Sequence, residues 1–324
     1  MVEGGAGASD AAGIPAAPSS KQPATPQRRF AAFAWVILAY NVAVILWGAL
    51  VRATGSGAGC GGHWPLCNGE VLPNVSQIAT VIELTHRAMS GVALAVVVAM
   101  FVWARRAFAP RHAARRWAGW ALALILTEAL LGASLVLLGH VAGNESVGRV
   151  YSLGLHLVNT LLLLASLALA ARSATHPAAG SGRPFPVSMS GPLIALILVA
   201  IAGAITALGD TLFPSHTLAE GMREDFSSTA SFLIRLRIIH PFLALGAGFV
   251  VALVAFPEYR ARHTARLRAL SGRLLALFAA QFAVGVLSIM LQAPVPIQLL
   301  HLLLADAIWI TLVLFTAERA ARAS

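Results

Sequence analysis

Residues 78–104 read IATVIELTHRAMSGVALAVVVAMFVWA, a long apolar stretch in which Glu83 and Arg87 are the only formally charged side chains. At about 1.5 Å per residue, a helix of this length crosses the roughly 30 Å hydrocarbon core of a bilayer. A helix can do so because it satisfies its own backbone hydrogen bonds, which lipid cannot. The stretch therefore predicts a membrane-spanning helix that carries an acid, a histidine and an arginine near one end.

The same character extends over the whole 324-residue chain, which is 58% hydrophobic and only 11% charged, with a mean hydropathy of +0.78. Soluble domains carry about 25% charged residues, so an ordinary soluble globule and a disordered chain are both excluded. The pattern predicts an all-α integral membrane protein with eight spans. Spans 1 to 8 cover approximately residues 30–51, 78–104, 116–139, 151–172, 187–209, 232–257, 273–292 and 297–317. Residues 1–27 are rich in Gly, Ala, Pro and Ser and predict a disordered tail.

The formal net charge of +10 could indicate nucleic-acid binding, but the positions of the charges indicate topology instead. Of the 23 Lys and Arg residues, 17 fall on one side of the predicted membrane. By the positive-inside rule that side is cytoplasmic, so both termini are expected in the cytoplasm and membrane lipid, not nucleic acid, is the expected partner. These residues are Lys21, Arg28, Arg29, Arg105, Arg106, Arg111, Arg115, Arg116, Arg172, Arg183, Arg260, Arg262, Arg266, Arg268, Arg273, Arg319 and Arg322.

The two halves of the chain resemble each other, with an offset of about 150 residues. A parallel repeat of four spans predicts two pseudo-symmetric four-helix bundles, at residues 28–175 and 184–324. The matching positions are Glu83 with His86 and Arg237 with His240, Glu128 with Gly132 and Gln281 with Gly285, and finally His156 and His301.

Four histidines, His86, His156, His240 and His301, lie at a similar depth near the outer ends of the even-numbered spans. Such residues are rare inside membrane helices and are usually functional. Two facing imidazoles suit axial ligation of a heme iron, which predicts one heme per half. The alternatives are hydrogen bonding between helices and a zinc site, which would need further ligands. The histidines expected to be non-ligating are His63, His112, His140, His176, His216 and His263.

The halves differ one helical turn before the first histidine of each pair, where Glu83 in one half corresponds to Arg237 in the other. An arginine there suits a heme propionate. A glutamate can instead accept a proton or stabilise positive charge on a substrate. The alternative is that Glu83 pairs with Arg87 or Arg52, and both interpretations can hold together.

Two further acids, Glu128 and Asp306, lie deep within spans 3 and 8. An acid at this depth can relay protons or hydrogen bond between helices. The sequence leaves both roles open and favours interhelical hydrogen bonding.

The chain has two cysteines, Cys60 and Cys67, in the Gly-rich loop after span 1. Because this loop is expected outside the cytoplasm, a disulfide is the favoured interpretation. A zinc site is a weaker alternative for a single pair, and a thiol pair that changes redox state is another.

Three motifs resemble the heme A synthase family, in its cysteine-bearing bacterial branch. They are GALVRATGSG at residues 48–57, CGGHWPLCNG at 60–69 and IELTHR at 82–87. The resemblance covers the layout of all eight spans and is most specific in the first 90 residues. It is looser in the second half, where Pro241 follows His240 while Arg87 follows His86.

The resemblance implies oxidation of the C8 methyl group of heme O to the formyl group of heme A, in the bacterial cytoplasmic membrane. By position, His240 and His301 would ligate a heme b beside Arg237. The substrate heme would contact the set His86, His156, Arg52 and Arg87, with both histidines as metal ligands. Glu83 would be the catalytic acid, and a heme O synthase and an electron donor are the implied protein partners.

Two other functional classes compete with this interpretation. A bis-heme b-type electron-transfer protein shares the four histidines, but it does not require an acid such as Glu83 in only one half. A transporter is disfavoured, because transporters place polar groups near the bilayer midplane.

Overall fold

The chain forms a bundle of long helices in the computed structural model, which describes residues 25–71, 73–74, 76–176, 189–215, 217–227, 231–261 and 264–322. Within those residues every regular element is a helix. The helices are α1 Pro26–Ala53, α2 Ile78–Ala107, α3 Ala113–Leu137, α4 Val147–Thr175, α5 Ser190–Leu212, α6 Leu218–Asp225, α7 Phe232–Arg237, α8 Ile239–Arg260, α9 Ala265–Met290 and α10 Val295–Arg322. In the part of the chain that the structure describes, eight segments are long and apolar enough to cross a membrane, with α7 and α8 forming one of them. The predicted all-α, multi-pass class is therefore confirmed.

The helices extend beyond the apolar spans because polar residues close their ends. Thr25, Ser146 and Thr264 each precede a helix, and their hydroxyls accept a hydrogen bond from a first-turn N–H that has no intrahelical acceptor. Arginines occupy the last turns of α2, α4, α8 and α10. A positive charge at that end is favourable to the helix dipole, so hydropathy alone places these ends too early.

The sixth span is divided where the sequence predicted one continuous helix. Helix α7 ends at Arg237 and α8 begins at Ile239. Pro241 lies four residues after Arg237, so it cannot donate the hydrogen bond that the carbonyl of Arg237 would accept, and its ring clashes with that carbonyl. The break lies just before His240 and places that histidine in the first turn of α8.

Two further differences concern segments between or before the spans. The tail predicted for residues 1–27 lies outside the described residues up to residue 24, and α1 already begins at Pro26. The loop before the sixth span contains α6, whose first turn is capped by the Thr217 hydroxyl, 3.1 Å from the N–H of Glu220.

Helices α1 to α4 pack against one another, and so do α5 and α7 to α10. The two groups meet along α4, which contacts α5 and α10, and along α1, which also contacts α5 and α10. In this contact the indole N–H of Trp309 donates to the carbonyl of Leu161 at 2.6 Å. At one end of the bundle, Arg172 pairs across it with Glu318 at 2.7 Å. The division at residues 28–175 and 184–324 and its pseudo-symmetry stay predictions.

Candidate functional site

The four signature histidines fall into two pairs, one in each half of the chain. His240 on α8 and His301 on α10 have ring centroids 6.4 Å apart, with the ring planes at 75°. A metal–imidazole bond is about 2 Å long, so two imidazoles that share one metal have centroids roughly 6 Å apart. His86 on α2 and His156 on α4 lie within electrostatic range of each other. The spacing in the second half therefore fits one metal centre held by two histidines.

The four histidine side chains are half-buried, and their buried Nδ1 atoms do not link the helices by close hydrogen bonds. The Nδ1 atoms of all four make no close hydrogen bond to any described residue. Glu128 Oε2 lies 3.6 Å from Nδ1 of His156, just beyond hydrogen-bond range, and the carbonyl of Val199 faces His240. Metal-bound histidines direct their second nitrogen to such acceptors. The geometry thus favours a ligand role over interhelical hydrogen bonding.

Each signature histidine lies against a glycine of a neighbouring helix. A Cβ atom at Gly48 or Gly203 would stand 2.9 Å from Cε1 of His86 or His240, closer than real Cβ atoms approach. At Gly285 and Gly132 the corresponding distances, to His301 and His156, are 3.2 and 3.9 Å. The sequence comparison of the halves paired Gly132 with Gly285 but missed the other two. Their signal was present, because Gly48 and Gly203 are separated by nearly the same offset as their histidines.

Glu83 is buried beneath the loop that follows α1, with 3% of its surface exposed. Its Oε2 accepts the backbone N–H of Cys60 at 2.8 Å, and its Oε1 pairs with the guanidinium of Arg87 at 2.5 Å. The alternative pairing with Arg87 is therefore confirmed, while the pairing with Arg52 is wrong. A buried carboxyl group needs such partners to offset its lost hydration, so these contacts fix the position of Glu83 beneath the loop.

The cysteines form the predicted disulfide, and Arg87 fastens the loop that contains it. Cys60 and Cys67 are bonded and buried. Arg87 also donates to the carbonyls of His63 at 2.6 Å and Leu66 at 2.7 Å. The disulfide loop and the Glu83–Arg87 pair are thus one continuous structure at the outer end of α2.

Arg52 links the two halves of the chain. From the end of α1 it donates to the Ala207 carbonyl at 2.5 Å, the Thr211 hydroxyl at 2.8 Å and the Gln298 side-chain oxygen at 3.0 Å. All three acceptors belong to the second half. The sequence assigned Arg52 to the substrate and could not show these contacts, because they depend on how the halves pack.

Arg237, in the second half, is surrounded by acidic side chains. Its guanidinium lies 3.3 Å from Asp210 and 3.6 Å from Glu224, and its Nε donates to Asp225. Asp210 also interacts electrostatically with Arg52. Arg237 therefore belongs to a charged network that reaches the first half, and its predicted contact with a heme propionate stays a prediction.

The two deep acids have different surroundings. Glu128 accepts from Asn159 Nδ2 at 2.6 Å and from the hydroxyl of Thr160, both on α4. Interhelical hydrogen bonding, the favoured interpretation, is thus confirmed for Glu128. Asp306 is buried, and its Oδ2 has no hydrogen bond among the described residues.

The remaining histidines of the described residues have roles outside both pairs. His112 caps α3 through Nδ1, and partial burial lowers its pKa, which favours the neutral accepting form. His140 hydrogen bonds to Ser152 and His176 to Arg266, while His63 is exposed in the disulfide loop. His216 and His263 lie outside the described residues. Within those residues no cluster of three or more His, Cys, Asp or Glu could hold a metal, as the zinc alternatives would need.

Comparison with known proteins identifies the family. Residues 31–313 match the COX15-CtaA family of cytochrome oxidase assembly proteins. The chain belongs to this family.

Similar proteins carry two different names. A protoheme IX farnesyltransferase of Thermus thermophilus is 45% identical over 88% of this chain and 47% of its own length. A heme A synthase of Alkalihalophilus pseudofirmus is 44% identical over 30% of this chain and 32% of its own length, and one of Halalkalibacterium halodurans is 37% identical over 39% and 42%. The chain therefore spans about half or less of the length of these curated relatives.

We predict that Glu83→Ala raises hydrogen exchange of the Cys60 amide and its neighbours by about tenfold or more. A hydrogen bond to a charged group contributes about 1.5–3 kcal/mol, and its loss eases local opening of the loop. Hydrogen–deuterium exchange with mass spectrometry on peptides covering residues 56–71 measures this. Glu70→Ala is the matched control, because that side chain is exposed in the same loop. Unchanged exchange in the Glu83 variant would show that other contacts hold the loop.

Proposed function

We propose that the chain is a membrane oxidoreductase that converts the C8 methyl group of heme O to the formyl group of heme A. Family membership and the heme A synthase relatives support the reaction. The observation that carries it is the difference between the histidine pairs. A buried carboxylate, Glu83, lies one turn before His86, where the second half has Arg237 before His240. The distribution of arginines supports placement in a bacterial inner membrane with both termini cytoplasmic.

The two halves take different hemes in this proposal. His240 and His301 hold a resident heme b, which supplies one-electron redox chemistry when bound. The facing rings and their buried Nδ1 atoms support this fit. His86 and His156 hold the substrate heme, with Arg87 beside them and Arg52 at the boundary between residues 28–175 and 184–324.

Conversion of the methyl to the formyl group removes four electrons and adds one oxygen atom. With water as the formal oxygen source, the net reaction consumes one water and releases four protons and four electrons, and an electron-transfer partner accepts the electrons. We assign the conversion to two successive two-electron oxidations, first to the alcohol and then to an aldehyde hydrate, which loses water. Each two-electron oxidation also releases protons. Glu83 takes up a proton or stabilises positive charge at the methyl carbon. Its contacts with Arg87 and the Cys60 N–H hold the carboxylate in place.

The substrate also determines the partners. The farnesyl tail of heme O is apolar, so we propose that the substrate enters laterally from the lipid. A heme O synthase would supply it, which agrees with the farnesyltransferase name of the Thermus relative. We do not propose farnesyl transfer for this chain, because it matches only 47% of that relative's length. An electron-transfer partner completes the reaction.

Replacing Glu83 by glutamine keeps the size of the side chain and removes its charge. We expect purified Glu83→Gln protein to retain heme b and to accumulate heme O or the alcohol, with heme A falling by about tenfold or more, in the range of lost acid–base catalysis. Pigment extraction and chromatography measure the three hemes, and Glu70→Gln is the control. A normal heme A yield would refute the role of Glu83. Wild-type protein that holds only stable b-type heme in both halves would favour the rival electron-transfer function.

A methyl group at Gly203 should displace His240 and weaken heme b binding. The added Cβ would stand 2.9 Å from the ring, and overpacking of this kind costs about 1–3 kcal/mol, roughly a tenfold loss of affinity. Heme content per purified Gly203→Ala protein and its Soret spectrum measure the effect. Gly246→Ala is the matched control, since nothing lies within 4 Å of a Cβ there. Wild-type heme content in Gly203→Ala would show that the close contact does not position the ligand.

A further inference from the structure

The two histidine pairs also differ in the side chain that lies near the second histidine of each pair, His156 or His301. In the first half Glu128 lies one turn before Gly132, the glycine that faces His156. In the second half Gln281 occupies the same place before Gly285, which faces His301. An anionic side chain in one half thus corresponds to a neutral amide in the other.

The carboxylate of Glu128 is fixed in place by α4. Asn159 Nδ2 donates to its Oε2 at 2.6 Å and also to the Leu124 carbonyl at 2.9 Å, while the hydroxyl of Thr160 donates to Oε1. The same Oε2 lies 3.6 Å from Nδ1 of His156. The carboxylate is therefore oriented toward the ring nitrogen that a metal bound at Nε2 would leave free.

The second half lacks this arrangement. At the positions of Asn159 and Thr160, counted from the histidine, it has Leu304 and Ala305, which offer no side-chain hydrogen bonds. The side-chain oxygen of Gln281 is buried without a hydrogen bond among the described residues, and so is Nδ1 of His301. The polar cluster is thus built around one histidine pair and not around its counterpart.

We propose that Glu128 is a positioning residue that accepts the Nδ1–H of His156 and makes this imidazole a stronger donor to the iron than His301. The inference rests on the proposed function, in which both pairs bind heme. A carboxylate behind a ligating histidine fixes its tautomer and raises its basicity. A more basic axial ligand favours ferric over ferrous iron. The iron of the first-half heme would therefore have the lower reduction potential. Electrons released by oxidation of its methyl group would pass to the resident heme, which would be the better electron acceptor.

A redox titration of full-length protein loaded with iron protoporphyrin IX in detergent tests this. We expect wild type to titrate in two steps, with the lower-potential step missing in His156→Ala. Glu128→Gln should raise the reduction potential of the lower step alone. The equilibrium preference of electrons for the second heme should fall by about tenfold, which is the difference between a charge-assisted and a neutral hydrogen bond. The reciprocal Gln281→Glu variant should lower the higher-potential step. Glu145→Gln, an exposed loop acid, is the control.

The outcomes separate the two levels of the proposal. If both hemes bind and neither reciprocal variant moves a potential or the low-spin electron paramagnetic resonance signal, Glu128 only clamps α3 to α4 and the inference is wrong. If wild type binds no heme in the first half, the proposed function fails and this inference fails with it. If Glu128→Gln does not fold, Gln281→Glu still decides, because a shift of its potential supports the carboxylate effect and an unshifted potential contradicts it.

Discussion

Close packing of a histidine ring against a glycine is the constraint on which the rest of the site depends. A ring can approach the axis of the next helix this closely only where no Cβ intervenes, as at Gly48 and Gly203. The contact sets how far α1 lies from α2 and α5 from α8, and so it fixes where each ring stands. Among the described residues, the buried Nδ1 atom of each ring makes no close hydrogen bond. Packing against glycine thus orients these imidazoles without forming hydrogen bonds to them.

The charged residues then determine how the two histidine pairs are connected. Arg52 binds the second half at the predicted outer end, and Arg172 pairs with Glu318 at the other end. A buried arginine has several donors to satisfy, so each contact is lost if the halves slide relative to each other. The network from Arg52 through Asp210 to Arg237 carries this link to one turn from His240. The distance between the two sites is therefore held by polar contacts as well as by apolar packing.

Most of the fold could be predicted from the sequence because a bilayer imposes one strong rule, an apolar helix of sufficient length. The position of Cys60 and Cys67 in a glycine-rich loop expected outside the cytoplasm likewise predicted the disulfide. The break at Arg237 was missed because hydropathy does not register the effect of Pro241 on a backbone hydrogen bond four residues earlier. Helix α6 was missed because it is short and lies in a loop. The reach of Arg52 into the other half depends on tertiary packing, which no local pattern encodes.

The same distinction between local pattern and tertiary packing applies to the polar residues around the histidine pairs. Internal repetition identified the histidines, since their positions recur in both halves. It also isolated Glu83, because a residue that breaks a repeat is visible only against it. The partners of Glu83 and Glu128 come from a loop backbone and from a neighbouring helix, so the sequence could name the acids but not their contacts. A repeated scaffold with unequal polar neighbours gives two similar histidine pairs different electrostatic surroundings. In the proposed function, that inequality would allow one pair to hold a cofactor while the other binds the substrate.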